Sequence, residues 1–193
     1  MQQPLGVILA GGQATRMGGG DKCLLKLGDR TILQHVIDRL APQTDGLLLN
    51  ANADPARFAD YAIKVAPDSI TGFAGPLSGV LAGLDHAAGT GHSHIITAAA
   101  DTPFFPCDLV PHLLMAAEKT GLALAASPSG RQPTFGVWPV ALREDLRAAL
   151  NDGLRKVVQW TQKHDAGTAA FPDDAAFFNV NTPDDLARAK AML

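Results

Sequence analysis

At 193 residues the chain has room for one ordinary α/β domain with a full core and little beyond it. A composition of 47% hydrophobic and 18% charged residues excludes intrinsic disorder, and 6% aromatic content leaves Ala, Leu and Val to fill the interior. A formal net charge of -3 excludes global attraction to nucleic acid or an anionic membrane, so any anion site must be locally basic, and Cys23 and Cys107 are too few for a disulfide framework.

Residues 5–10 are a short apolar run stopped by Gly11 and Gly12, the pattern of a strand buried on both faces that ends in a tight loop. No basic segment stands in front of this run, and nowhere do ~18 apolar residues follow one another. The expectation is a cytoplasmic protein with neither nucleic acid nor membrane as partner. Ile32, Val36, Ile37 and Leu40 at helical spacing predict a helix over 31–40, closed by Pro42, and 46–49 reads as a strand ending at Asn50. A weak helix over 55–60, a strand over 62–66, a loop through Gly75 and a helix over 76–88 come next, with Pro76 suited to the first turn.

The alternation continues with a strand over 94–99 that ends at Asp101, a helix over 108–120, a strand over 122–126 and another over 132–138 of edge or antiparallel type. Short helices are expected over 143–150 and 155–163, strand pieces over 168–171 and 177–180, and a closing helix over 183–192. No repeat or linker interrupts the order. It predicts an α/β fold, one domain over residues 1–193, with a mostly parallel central sheet, helices on both faces, and ligands beyond the carboxyl ends of the strands.

The most informative segment comes after the first strand. Residues 9–22 read LAGGQATRMGGGDK, with five glycines, Arg16 and Lys22 in one loop. Glycines allow backbone N–H groups to approach a polyphosphate, while a guanidinium and an ammonium neutralise its charge, so the loop has the chemistry of a triphosphate cradle. It is not a Walker A motif, because Lys22 lies between Asp21 and Cys23 rather than after Gly and before Ser or Thr. Nor is it a dinucleotide fingerprint, since Gly12 directly follows Gly11 and the next glycine is Gly18. A plain surface connection is a poor alternative, because cations interleaved with glycine beside a buried strand are costly decoration.

This loop resembles the L-A-G-G-x-x-x-R-M-G-x-x-K-x-L pattern of nucleotidyltransferases with a Rossmann-like fold, and it is similar to the form found in the molybdenum cofactor guanylyltransferase family. The glycine stretch between Met17 and Lys22 is slightly longer than in many relatives. The resemblance spans residues 5–186 and implies GMP transfer from GTP to molybdopterin, Mg2+ as cofactor, and dealings with molybdenum-insertion and molybdoenzyme-maturation proteins. It also implies roles for residues after later strands. Asp101, in Ala-Asp-Thr-Pro, stands where a strand end beside a triphosphate needs a magnesium ligand; a turn cap before Pro103 explains it equally well until the resemblance favours the metal. Asn50, Asp68 and the Gly75, Pro76, Leu77 loop match positions that contact the guanine nucleotide, and a carboxylate facing guanine N1 and N2 would reject adenine. Asn179 and Asn181, in Asn-Val-Asn-Thr-Pro, either reach the site or merely precede a helix capped by Thr182.

Assembled, the expectation is in-line attack of an acceptor phosphate on the α-phosphorus of GTP. Arg16, Lys22 and Asp101 are the catalytic set, and the Leu9, Ala10, Gly11, Gly12 backbone holds the nucleotide. His92 and His94 form an H-x-H pair without a third ligand at a telling spacing, and Arg131 and Thr134 suit either an acceptor phosphate or a solvated turn. A cytidylyltransferase, a sugar-phosphate nucleotidyltransferase and a non-catalytic nucleotide-binding module are the rival readings. Gly12 favours the guanylyl form, since relatives using a pyrimidine nucleotide tend to read Leu-Ala-Ala-Gly.

Overall fold

The computed structural model describes residues 3–11, 22–70, 72 and 75–193. Gly12 and Arg16 of the predicted cradle therefore lie outside the described residues. Among those described, the strands of the main sheet are β1 (Leu5–Leu9), β4 (Leu47–Asn50), β5 (Lys64–Ala66), β6 (His94–Ala99), β7 (Ala123–Ser127), β8 (Gly130–Pro139) and β9 (Gly167–Ala170), in the order β5-β4-β1-β6-β8-β7-β9. β8 alone runs against its neighbours, so the sheet is mostly parallel as expected.

The two faces are covered by different helices. Those among the described residues are α1 (Ile32–Leu40), α2 (Pro76–Thr90), α3 (Leu109–Ala116), α4 (Arg143–Asn151), α5 (Val157–Lys163) and α6 (Pro183–Lys190). α1 and α3 share one apolar cluster with Ile8, Ile96 and Phe135, while α2, α4 and α5 share the other with Val7, Ile95 and Trp138. Successive residues of β1 and β6 thus point to opposite clusters, as a strand buried on both faces requires.

α2 sets the height of the site. Pro76 occupies its first turn, and a Cβ added at Gly83 would come within 2.8 Å of Val7 and 2.9 Å of Ile95, so only glycine lets the helix lie this close to β1 and β6. Its amino end is thereby held at the carboxyl edge of the sheet. The aromatic side chains, few as they are, sit deep: Trp138 stacks on Trp160 with ring centroids 6.1 Å apart, and the Trp138 indole N–H donates to the Thr97 hydroxyl at 2.9 Å.

Three expectations need correction, and of the two alternatives for the strand over 132–138 the antiparallel one holds. β8 is antiparallel but internal rather than an edge, and it tolerates Pro133 because the pairing with β7 jumps from Leu124 opposite Gly136 to Ala125 opposite Gln132, leaving 133–135 outside the ladder. Residues 177–180 are not a strand: a 3-10 turn covers Asp174–Phe177, and residues 178–180 make one backbone bond to the sheet region, from Val180 N to Asp101 O at 2.9 Å. The predicted strand over 62–66 begins only at Lys64, because Ala62 takes a left-handed backbone with φ of 51° after the 3-10 turn Pro55–Tyr61. The helix expected over 108–120 closes at Ala116. A two-stranded hairpin of β2 (Lys26–Leu27) and β3 (Arg30–Thr31) lay below the reach of periodicity. No helix among the described residues is long and apolar enough to cross a membrane.

Candidate active site

β1, β4 and β6 end side by side, and the chain continues the ladder by one bond beyond β1 and one beyond β6: Ala10 N donates to Asn50 O at 2.8 Å, and Ala100 N to Leu9 O at 3.0 Å. Past these ends a cavity of about 210 Å3 opens, lined by Leu9, Gly11, Asn50, Gly75, Pro76, Ala99, Asp101 and Thr134. Six of these are residues expected to meet a nucleotide. Thr134 reaches the cavity because 133–135 have left the ladder, and the pairing of β6 with β8 stops at Thr97.

On the β4 side, Asn50 is buried and its amide donates to Ala66 O at 3.3 Å and to Asp68 Oδ1 at 3.0 Å. Asn52 donates to Asp68 Oδ2 at 3.0 Å and accepts from Asp68 N at 2.9 Å. The Asp68 carboxylate is thus held through both oxygens, each keeping a further lone pair for a ligand. The loop after β1 approaches these side chains closely: a Cβ on Gly11 would stand 3.1 Å from Asn50 Oδ1, tight enough that the asparagine would have to give slightly, and 3.6 Å from Asp68 Oδ1.

On the β6 side, Thr102 is fully buried, and its hydroxyl lies 3.3 Å from Asp101 Oδ1 and donates to Asn179 Oδ1 in a short hydrogen bond. The Lys22 ammonium donates to Asn181 Oδ1 at 3.0 Å. The Asn-Val-Asn element is presented by the start of α6, where Thr182 and Asp185 form a reciprocal capping box. Burial pushes the Asp101 carboxyl above its ordinary value, opposed by the Lys22 ammonium and by hydrogen bonding from Thr102.

A desolvated carboxylate opposed, among the described residues, by the Lys22 ammonium suits a divalent cation, and Mg2+ asks for only one or two protein carboxylates when phosphates and waters complete its shell. Among the described residues no group of three His, Cys, Asp or Glu forms a protein-only metal site. His92 and His94 lie at the start of β6, at the opposite end of the strand from Asp101.

Three residues considered for the site are placed differently. The Leu77 side chain is buried in the apolar cluster that holds Val7 and Leu48, and Ala10 packs against the other cluster. Arg131 is exposed at the beginning of β8 and does not line the cavity. Thr102 carried no sequence signal beyond its place in Asp-Thr-Pro, yet it ties Asp101 to Asn179. Arg155 also went unread: its carbonyl oxygen lies 3.9 Å from where a Gly75 Cβ would stand, and its side chain lines a larger cavity of about 590 Å3 between α4 and α5 with Lys156 and Trp160.

Comparison with known proteins agrees with this geometry. Residues 6–166 match the model of the MobA-like NTP transferase domain. A protein named molybdenum cofactor guanylyltransferase from Bradyrhizobium sp. (strain ORS 278) is 52% identical over 194 residues, covering 97% of this chain and 92% of its own length. One of the same name from Cereibacter sphaeroides is 49% identical, with 97% and 96% covered. The crystal structure of molybdopterin-guanine dinucleotide biosynthesis protein A from Archaeoglobus fulgidus superposes with a TM-score of 0.75 at 22% identity, covering 97% of each chain, a likeness of fold. The chain belongs to the molybdenum cofactor guanylyltransferase family of MobA-like nucleotidyltransferases.

Proposed function

We propose that this protein transfers the GMP unit of GTP to the phosphate of molybdopterin, releasing pyrophosphate and forming the guanine dinucleotide form of the molybdenum cofactor. The observation that carries this reading is the gathering of Lys22, Asn179 and Asn181 about Asp101, which lines the cavity: the Lys22 ammonium acts on the Asp101 carboxyl and donates to Asn181, and Thr102 lies between Asp101 and Asn179. The names of relatives near 50% identity supply the substrates.

In the reaction, an oxygen of the acceptor phosphate attacks the α-phosphorus of GTP in line, the bond from that phosphorus to the β-phosphate bridging oxygen breaks, and pyrophosphate leaves with the electron pair. The acceptor phosphate is already anionic at neutral pH, so no general base is required. Positioning and charge neutralisation supply the rate. The backbone of Leu9, Ala10 and Gly11 borders the nucleotide, Asn50 holds Asp68 toward the guanine, and Gly75, Pro76 and the Leu77 backbone bring the amino end of α2 to the phosphates. Arg16 and Lys22 neutralise the leaving pyrophosphate. Asp101 would hold Mg2+, whose contribution when bound is further neutralisation of phosphate charge. Arg155 and Lys156, on the larger neighbouring cavity, suit the anionic acceptor. On this reading the protein works in the cytoplasm, receives its acceptor from molybdenum-insertion proteins and passes its product to molybdoenzyme-maturation proteins.

Pyrophosphate release with Mg2+ and molybdopterin, comparing GTP, CTP, ATP and UTP, tests the assignment. Release confined to GTP and lost in Lys22→Ala and Asp101→Ala is the expected result. A CTP preference moves the chain to the cytidylyl reading, and tight nucleotide binding without turnover makes it a binding module.

A further inference from the structure

The carboxylate next to the guanine has a second anchor, on the other side of the segment that carries it. Ser69 directly follows Asp68, and its hydroxyl donates to Asp85 Oδ2 on α2 at 2.6 Å. Asp85 is itself braced from α4: Arg147 Nη2 donates to its Oδ1 at 2.5 Å, Arg143 Nε lies 3.7 Å away, and both arginines are joined through Glu144. Burial works against the Arg147 charge, but Asp85 and Glu144 outweigh it and raise its pKa. One residue, Asp68, is thus held from the β4 side by Asn50 and Asn52, and the next is held from α2 by Asp85.

We propose that Ser69 and Asp85 are positioning residues for nucleobase selection, fixing Asp68 at the height where it meets the guanine N1 and N2 donors; this rests on the reading of Asp68 given above. Asn50 and Asn52 hold the carboxylate through its oxygens, and Asn52 also holds the Asp68 backbone N–H, but all three bonds come from the exit of β4 and fix the segment from that side alone. The Ser69 bond to a helix that is seated on the sheet through Gly83 closes that freedom. Hydroxyl bonds to a carboxylate are about twice as strong as neutral ones, and two arginines of α4 hold Asp85 in place, more bracing than attachment of an exposed serine needs.

The test is the preference for GTP over ITP, which lacks the guanine 2-amino group, read as kcat/KM ratios in pyrophosphate release. Ser69→Ala is expected to lower that ratio ~3- to 10-fold through KM for GTP, with kcat and melting temperature unchanged. Ser69→Thr keeps the hydroxyl and restores the ratio, and Ser69→Ala combined with Asp85→Ala falls no further than either alone. Asp68→Ala is the reference. If it collapses the ratio while Ser69→Ala leaves it intact, the positioning role is overturned and the base-reading carboxylate stands. If Asp68→Ala also leaves the ratio intact, the base-reading assignment falls and takes the positioning role with it.

Discussion

Lys22 and Asn181, 159 positions apart in the chain, are joined by a 3.0 Å hydrogen bond from the ammonium to the amide oxygen. An ammonium has three donors, so Asn181 fixes its position while two protons remain for phosphate oxygens. Lys22→Ala is expected to lower kcat/KM by ~10^2- to 10^3-fold, the cost of removing a charged donor from a developing anion. Asn181→Ala should cost about tenfold, mainly in KM for GTP, because the charge stays but its place is lost. Steady-state pyrophosphate release separates the two, and equal losses would count against a positioning role for Asn181.

Asp101 links pH, stability and activity. Burial raises its carboxyl above the ordinary value, so the native chain holds the proton more tightly than the unfolded one does. Its contribution to stability is therefore fully present below the unfolded-state value and is lost as pH rises through the native one. Asp101→Asn should raise the melting temperature of the ligand-free protein at neutral pH, by a margin that fades toward acid, while lowering kcat/KM on the order of 10^2-fold or more. Thermal melts between about pH 4 and about pH 8 check the sign. A variant that melts lower at neutral pH would contradict it.

Gly79 is the point where α2 meets the Asn50 side chain. A Cβ there would stand 2.2 Å from Asn50 Oδ1 and 2.8 Å from Leu9 Cδ2, so Gly79→Ala must push the helix or the asparagine away. A loss of about 1–3 kcal/mol in denaturant unfolding is expected. Weaker GTP binding should accompany it, because Asn50 carries Asp68. Isothermal titration with GTP on the folded variant measures the second effect.

The Trp138 indole gives a control away from the cavity. Thr97→Val preserves shape but removes the acceptor of a buried N–H, which costs about 1–3 kcal/mol. Turnover below the melting transition should stay within about twofold of the parent, since Thr97 does not line the cavity. A loss of turnover larger than the loss of folded protein would show that the β6 core reaches the chemistry.

Elements with a strong apolar period were legible in the sequence, and those set by tertiary pairing were not. The buried strands ending at Leu9, Asn50 and Ala99 could be read because both faces are apolar, and the residues after them could be read because parallel sheets bind ligands there. The internal place of β8 could not be read, because Pro133 signals an edge and only the local break in pairing with β7 shows how the proline is absorbed. The stretch 177–180 has the composition of a strand but pairs with no sheet edge, since β9 already occupies the one beside β7. Asn179 and Asn181 were found by motif, whereas Thr102 and Arg155 owe their place to contacts between segments far apart in the chain.

The break in β8 has a further consequence. Thr134 lines the cavity from a strand that runs opposite to its neighbours and is joined to β7 on both sides of the break and to β6 by 136–139, while Phe135 beside it is held in the core against Phe105 and Phe177. The side chain at position 134 can therefore change without shifting the register of β5, β4, β1 or β6, which carry Asn50 and Asp101 at their ends. That part of the cavity wall is thus set apart from the strands whose register holds Asn50 and Asp101, and a new side chain at position 134 would reshape the wall while the residues at those strand ends keep their places.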